Sequence, residues 1–229
     1  KPSGMWGRVE NSTFRRTTGT GDYAILVAYD PLYTVTGNHV EGSYAGGIGL
    51  SLIASAGHGV LRGNHVVDVG TGLALFDADS QSTISWNEVH ANNVGIAVIS
   101  GQWMPGPLLE RNDVTSAGVG LYGELPGLMP TVPKVRHNNI LGVPRVVSVD
   151  KGDKTTPAAL ELSVDGAGNY WYHASFEAGV DSNAASVVDS FPYCVKDGWA
   201  LGYAPGECAA GPPTAPEITE PSDGSLTKI

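Results

Sequence analysis

A short pattern of apolar and polar residues recurs along the chain at nearly constant spacing. Each copy has an apolar residue, two variable residues, a small polar residue, one variable residue and a second apolar residue, as in LRGNHV and ISWNEV. Successive copies lie 23 to 26 residues apart, and their polar residues are Ser12, Asn38, Asn64, Asn87, Asn112 and Asn138. A seventh candidate, Asn169, follows in GAGNYW. A fixed period of this length predicts a solenoid in which every unit forms one coil.

A second apolar block follows in each unit. The clearest blocks are residues 46–52, 71–76, 94–99 and 119–123, with 23–27 and 145–149 at related places. Ile48, Leu50 and Leu52 alternate with smaller residues, and this alternation predicts β-strands. Glycines between the two apolar blocks are expected to supply turns with positive φ.

These elements favour an all-β fold, a right-handed parallel β-helix that forms a single-stranded solenoid of about six to seven coils. Coils would stack at the ordinary strand spacing of about 4.8 Å. The regular Asn residues would form a ladder, in which each amide hydrogen-bonds the same group in the coils above and below. Two alternatives stay open. A leucine-rich-repeat solenoid would need an L-x-x-L-x-L motif and often a helix, and a β-sandwich would make the spacing coincidental.

The coils are predicted over residues 1–165, a C-terminal cap region over 166–211, and a linker toward a further domain over 212–229. The last segment is rich in Pro, Ser and Thr, which is typical of interdomain linkers. An open solenoid leaves unpaired backbone groups on its first coil. We therefore expect a neighbouring domain or another chain to cover the N-terminal edge coil.

Composition narrows the classes of partner. The chain has 31 glycines and only 16% charged residues, which suits a β protein with many turns. Its formal net charge of −10 disfavours nucleic-acid binding, because a polyanion would be repelled. No apolar stretch is long enough to predict a membrane span, and no signal peptide is visible.

Two cysteines, Cys194 and Cys208, flank a loop rich in Gly and Pro. A disulfide between them would close a short loop and hold an otherwise irregular cap. Two unpaired thiols are the alternative. A disulfide predicts an oxidising compartment, so we expect a secreted, extracellular or cell-surface protein, with the periplasm also compatible.

Residues 6 to about 150 resemble the parallel β-helix repeats of the pectate-lyase-like superfamily. The segments GAGNYW (166–171) and DSFPYC (189–194) resemble the closing segment of NosD-like β-helix proteins. The resemblance implies the fold far more than the activity, because the superfamily includes lyases, hydrolases, epimerases, adhesins and structural rods. A NosD-like protein would be a periplasmic accessory protein for a metal centre.

One column of residues is predicted to face outward, immediately after each ladder position. It contains Thr13, His39, His65, Glu88, Asp113 and Asn139, with Glu41 and His90 two residues beyond their neighbours. His39, His65 and Glu88 could bind a divalent metal, the only cofactor for which the sequence offers candidates. Glu88, Asp113 and His65 are candidate catalytic residues. The alternative is an ordinary polar face with cross-strand charge pairs.

A loop row after the second apolar block offers aromatic and acidic side chains. Its candidate substrate-binding residues are Tyr29, Asp77, Asp79 and Trp103, a combination that suits sugar rings. The alternative for Trp103 is a cover over apolar edges between coils. Arg62 and Arg111 precede ladder positions and are expected to lie apart from the acidic residues, which disfavours a polysaccharide lyase.

The sequence thus favours a non-catalytic structural or adhesive module of a larger secreted or surface protein, with a polysaccharide or cell-surface glycan as its partner. A polysaccharide hydrolase, lyase or epimerase is the first alternative, because this superfamily supports such enzymes. The NosD-like accessory protein is the second alternative.

Overall fold

The computed structural model describes most of the repeat region and part of the segment after it. The described residues are 6–16, 23–28, 32–53, 59–78, 81–99, 106–124, 133–142, 145–150, 160, 162, 164–171, 189 and 191–205.

Regular structure within the described residues consists of sixteen β-strands and one short helix. The first eight strands are β1 (Trp6–Glu10), β2 (Thr13–Arg16), β3 (Tyr23–Ala28), β4 (Leu32–Thr36), β5 (His39–Ile53), β6 (Gly59–Arg62), β7 (His65–Phe76) and β8 (Thr83–Ser85). The others are β9 (Glu88–Ile99), β10 (Leu108–Glu110), β11 (Asp113–Ser116), β12 (Val119–Glu124), β13 (Lys134–Arg136), β14 (Asn139–Gly142), β15 (Arg145–Asp150) and β16 (Tyr170–Trp171). The helix is α1 (Gly198–Leu201).

These strands form two parallel sheets whose order follows the repeat. One sheet has the order β1-β4-β6-β8-β10-β13, and the other has β2-β5-β7-β9-β11-β14-β16. In the second sheet, β3 also pairs with β5, β12 with β9, and β15 with β12. Each strand pairs with its counterpart one repeat later, so the predicted all-β parallel solenoid is confirmed. The count of six to seven coils stays a prediction, because parts of the connections lie outside the described residues.

Three central strands are longer than the sequence pattern predicts. β5, β7 and β9 each contain both the segment after the ladder residue and the second apolar block. Their pairing shifts register between Glu41 and Ile48 and between Val67 and Thr71. These irregularities bend a continuous strand where two separate strands were expected.

The core is built from apolar side chains that stack on their counterparts. One file contains Val40, Val66, Val89, Val114 and Ile140, each paired with the next in register. All five are at most 1% exposed. Because each side chain packs on a residue of similar shape in the next coil, a large substitution here would strain two interfaces at once.

The asparagine ladder is confirmed and forms one continuous row from Asn38 to Asn169. In each step the Oδ1 atom accepts the backbone N–H and the Nδ2–H of the preceding ladder residue, at 2.9–3.1 Å. Each Nδ2 also donates to a backbone carbonyl of the preceding coil, as Asn87 does to Leu61 at 3.0 Å. Ser12 begins the row through its backbone N–H, which donates to Asn38.

The row ends on a carboxylate that the repeat pattern did not reveal. Asp189 is buried, and its Oδ2 accepts the backbone N–H of Asn169 at 2.8 Å and the indole Nε1–H of Trp171 at 2.9 Å. Its Oδ1 accepts the backbone N–H of Phe191. Asp189 therefore joins the segment after the coils to the last described rung of the ladder.

Glycines within the second apolar block pack against core valines. Gly49, Gly72 and Gly95 do not adopt positive φ. A Cβ atom on Gly72 would lie 2.1 Å from Cγ1 of Val89, and Gly49 and Gly95 face valines of the next coil in the same way. The absent side chain provides room for a core valine. Between the two blocks, the expectation of a positive-φ turn is wrong at Gly42, which lies within β5 and does not have positive φ.

Candidate functional site

The column that follows the ladder forms one file across the second sheet. The strand register pairs His39 with His65, His65 with Glu88, Glu88 with Asp113, and Asp113 with Asn139. Glu88, for example, follows the buried Asn87 and precedes the buried Val89, so its side chain points outward. The repeat thus places these polar side chains next to one another, and His39, His65, Glu88 and Asp113 are at least partly exposed. The expectation that Asn139 faces outward to solvent is wrong, because the turn at Asp197 covers it and leaves it 1% exposed.

The first part of the file is a cluster of imidazoles and carboxylates. His39 and His65 face each other with their Nδ1 atoms 3.0 Å apart. His65 Nε2 lies 3.9 Å from Glu88 Oε2, and His90 Nε2 lies 3.1 Å from Glu88 Oε1. On the far side, His39 Nε2 lies 3.9 Å from Glu41. The cluster therefore has metal-binding donors within reach of one another.

Glu88 is ionised near neutral pH. The hydrogen bond from His90 lowers the pKa of its carboxyl group below the ordinary value, with smaller electrostatic contributions from His65, His90 and Lys196. Partial burial opposes this shift. The carboxylate form is the one that coordinates cations and accepts hydrogen bonds from hydroxyl groups.

The second part of the file contacts the segment after the coils. Lys196 forms an ion pair with Asp113, and this contact raises the pKa of the lysine above its ordinary value. Asn139 Nδ2 donates to Asp197 Oδ1 at 2.7 Å, and the backbone N–H of Asp197 donates to Asn139 Oδ1 at 3.0 Å. These contacts fix α1 and its preceding turn beside Glu88.

A row of corner residues runs beside the file, one position before each ladder residue from Ser12 to Asn138. All have left-handed φ between 47° and 64°, and they are Asn11, Gly37, Gly63, Trp86, Arg111 and His137. Glycine adopts this conformation without strain, whereas a large side chain adopts it rarely. Trp86 keeps this conformation at φ 58° with 49% of its surface exposed.

An open cleft of about 210 Å³ lies between the corner row and α1. It is lined by Trp86, Asn87, Glu88, Arg111, Asp113, Asn139, Asp197 and Trp199. The Arg111 guanidinium lies 5.3 Å from the ring centre of Trp86. The expectation that Arg111 lies apart from the acidic residues is wrong, because the corner row and the file are adjacent surfaces of the same coils.

A comparison with protein families agrees with this architecture. The family model described as a right handed beta helix region matches residues 3–124, which is more than half of the chain. The chain belongs to the right-handed β-helix family. No curated protein and no solved structure matches this β-helix chain. The family match ends before the segments that resemble NosD-like proteins, so that subtype stays a prediction.

The predicted loop row of the β-helix is only partly described. Asp77 lies after β7 with φ 51°, and its backbone N–H donates to Ile99 at 2.8 Å. Tyr29, Asp79 and Trp103 lie outside the described residues, and Asp77 does not line the Trp86 cleft. Cys194 is described, whereas Cys208 is not, so the disulfide stays a prediction. Among the described residues, no helix has the length and apolar character needed to cross a membrane.

Sequence reasoning missed the aromatic residues of the Trp86 cleft. Trp86 stands directly before the ladder residue in ISWNEV, where two earlier coils of the β-helix have Gly37 and Gly63. A bulky residue at a corner that otherwise takes glycine was the available signal. Trp199 had no such signal, because its place depends on how the segment after the coils folds back onto the file.

Proposed function

We propose that this β-helix is a glycan-binding module of a secreted or surface protein, and that the Trp86 cleft is its binding site. The single observation that supports this proposal most strongly is the conformation of Trp86. A large aromatic residue occupies a left-handed corner and remains half exposed. Strained residues persist where the surroundings impose them, and they concentrate at functional sites.

The chemistry of the cleft suits a sugar ring. An exposed indole offers an apolar face on which a pyranose can stack, and Trp199 supplies a second aromatic side chain nearby. The carboxylate of Glu88 and the guanidinium of Arg111 can accept and donate hydrogen bonds to hydroxyl groups. Since the cleft has more acidic than basic residues and the chain carries a net charge of −10, neutral glycans fit better than uronates.

The same electrostatics favour binding over hydrolysis. A glycosidase needs one carboxylic acid that stays protonated, which requires a raised pKa. The pKa of Glu88 is lowered by His90, and Asp113 forms an ion pair with Lys196. The environment of Glu88 is therefore not that of a general acid, which supports a non-catalytic role.

An array of neutral and acidic glycans, followed by titration of the best ligand, tests the proposal. The decisive variant is Trp86→Gly, because glycine already occupies this corner at Gly37 and Gly63. The corner should keep its conformation while the indole is lost. We expect affinity for a neutral glycan to fall about tenfold or more.

Tyr23→Ala is the matched control, since Tyr23 is an exposed aromatic residue on β3 that does not line the cleft. The Tyr23→Ala variant should bind the glycan with the same affinity as the unmodified protein. Equal affinity of Trp86→Gly and the unmodified protein would refute the proposed site. Absence of binding to every glycan on the array would refute the function itself.

A further inference from the structure

We propose that His65, Glu88 and His90 form a binding site for a transition-metal ion of the zinc class, and that His39 orients His65 within it. This inference goes beyond glycan binding and does not depend on it. Glu88 also lines the Trp86 cleft, whereas His65 and His90 do not. The metal site can therefore be tested through its two histidines, whether or not the cleft binds a sugar.

Strand pairing brings the three side chains together. Glu88 and His90 alternate on β9 and so point to the same side of the sheet, while His65 lies opposite Glu88 on β7. One donor atom from each of the three side chains lies within 4.8 Å of the other two. Because paired strands hold the backbone, only side-chain rotations are needed to bring the donors to a common centre.

The distances are close to those a metal requires. Metal–ligand bonds of about 2.0–2.2 Å in tetrahedral geometry place donors about 3.3 Å apart. His90 Nε2 lies 3.1 Å from Glu88 Oε1, and His65 Nε2 lies 3.9 Å from Glu88 Oε2. The three side chains are 41–57% exposed, so they can rotate closer together without displacing packed neighbours.

His39 has the position of a residue that orients a metal ligand. Its Nδ1 lies 3.0 Å from His65 Nδ1, and only one of these two atoms can carry the shared proton. If His65 Nδ1 donates, the lone pair of its Nε2 points toward Glu88 and His90. Metal-binding histidines usually donate their second ring N–H to such an acceptor, which fixes the tautomer and the ring orientation.

The donor set selects the class of metal. Two imidazoles with one carboxylate suit zinc, copper, nickel and iron, whereas calcium and magnesium prefer sites made of oxygen atoms. Three protein ligands also leave a coordination position for water or for an oxygen atom of another ligand. We therefore expect binding of zinc and cobalt ions and no specific binding of magnesium.

The test uses untagged protein, because a histidine tag would bind the same metals. Calorimetric titration with zinc ions at neutral pH should show one site. The variants His65→Asn and His90→Asn should each lose this binding. Cobalt ions should give visible d–d absorption in the unmodified protein, and the same two variants should lose that signal.

The His39→Asn variant separates an orienting residue from a ligand. We expect zinc affinity to fall by about 10–100-fold, with the shape of the cobalt spectrum unchanged. His137→Asn is the matched control, because it removes a histidine outside the cluster and Asn tolerates the left-handed conformation at this position. Its zinc affinity should not change.

Three results would overturn the proposal. A flat zinc titration of the unmodified protein would exclude the site, and retained affinity in both His65→Asn and His90→Asn would exclude its ligands. A changed cobalt spectrum in His39→Asn would show that His39 is itself a ligand. Thermal unfolding of each variant provides the check that the β-helix is intact.

Discussion

At the scale of single residues, the ladder asparagines have all their polar atoms paired. Asn87 shows the pattern: its Oδ1 accepts two N–H groups of Asn64, and its Nδ2 donates to Leu61 and to Asn112. The side chain is 1% exposed, so water cannot replace any partner that is removed. Each ladder residue therefore satisfies the backbone of its neighbours as well as itself.

The first prediction concerns Asn87→Ala. The substitution leaves the buried backbone N–H and one Nδ2–H of Asn64 without an acceptor, at about 1–3 kcal/mol for each buried unpaired group. We expect the free energy of unfolding to fall by about 3 kcal/mol or more, measured by chemical denaturation. Asn92→Ala, at an exposed position of β9, the strand that follows Asn87, should change it by no more than about 0.5 kcal/mol. A similar loss of unfolding free energy in both variants would show that the ladder hydrogen bonds of Asn87 do not stabilise the fold.

Among single-residue features, the sequence predicted the asparagine ladder but not the left-handed conformation of the corner residues. The ladder was predictable because the same residue type recurs wherever the same four hydrogen bonds are needed. The left-handed corners were not, because Trp86, Arg111 and His137 share a conformation and no chemical feature. Their backbone geometry follows from the strands on either side, which no single residue type encodes.

At the scale of elements, the segment after the coils packs against the last corner. His137 stacks on Trp199 of α1, with ring centres 5.7 Å apart and planes at 25°, and it also contacts Tyr193. Its buried Nδ1 atom has no hydrogen-bond partner. Burial lowers the pKa of His137 below its ordinary value of about 6.5, and the nearby Arg136 and Arg111 lower it further.

The second prediction is a pH dependence of stability. Between His137's folded pKa and about 6.5, the unfolded chain binds more protons at this residue than the folded chain. The free energy of unfolding should therefore decrease as the pH falls from about 6.5 toward the lowered pKa, by at most about 1.4 kcal/mol per pH unit for one proton.

Denaturation curves across this pH range, for the unmodified protein and for His137→Asn, measure the effect. The variant should have a smaller slope, because the titrating group is gone while the left-handed corner is kept. The remaining slope belongs to other groups, including carboxylates such as Glu88 that act at lower pH. Identical slopes in the two proteins would show that His137 does not couple protonation to folding.

Element boundaries were only partly predictable. The strands at 23–28 and 145–150 match the predicted apolar blocks at 23–27 and 145–149 to within one residue. The sequence did not predict that β5, β7 and β9 are continuous strands. Small residues such as Gly49 interrupt the apolar pattern, although the backbone pairing continues through them. Pairing depends on the neighbouring coil, which a single unit of sequence does not reveal.

At the scale of the whole molecule, each coil contacts mainly its neighbours. The stability of such a solenoid is approximately a sum over coils and the interfaces between them. A terminal coil has only one such interface, so we expect the ends to unfold most easily. In the described residues, the segment after the coils is joined to the last rung through Asp189 and to β11 through the Lys196–Asp113 ion pair. Anything that holds this segment in place should stabilise the whole chain.

The third prediction is that Cys194 and Cys208 form a disulfide that has this role. Closing a loop of this length stabilises a protein by about 3 kcal/mol through the unfolded chain. We expect no alkylation of the unreduced, unfolded protein in intact-mass measurements, and a lower unfolding midpoint after reduction. Two alkyl groups on the unreduced protein would show two free thiols instead.

The fold was predictable from sequence because the period repeats many times, so that errors in any one unit average out. The candidate site was predictable only in part. The His39, His65 and Glu88 file followed from the register of the repeat, whereas the Trp86 cleft also needs Trp199 and Asp197, which lie beyond the repeats. No period relates those residues to the coils.

The amide row also gives the molecule a direction. Every side-chain carbonyl from Asn64 to Asn169 points toward the preceding coil, so the aligned dipoles carry their positive end toward Asp189, whose acidic group suits that end. Since a carboxylate has no proton to donate, the row of hydrogen bonds between side chains ends at Asp189. A duplicated coil inserted between two existing ladder positions would find a donor on one side and an acceptor on the other. One appended after Asp189 would find no side-chain N–H there, so duplication within the row keeps both hydrogen bonds of each step, whereas addition at that end loses the one between side chains.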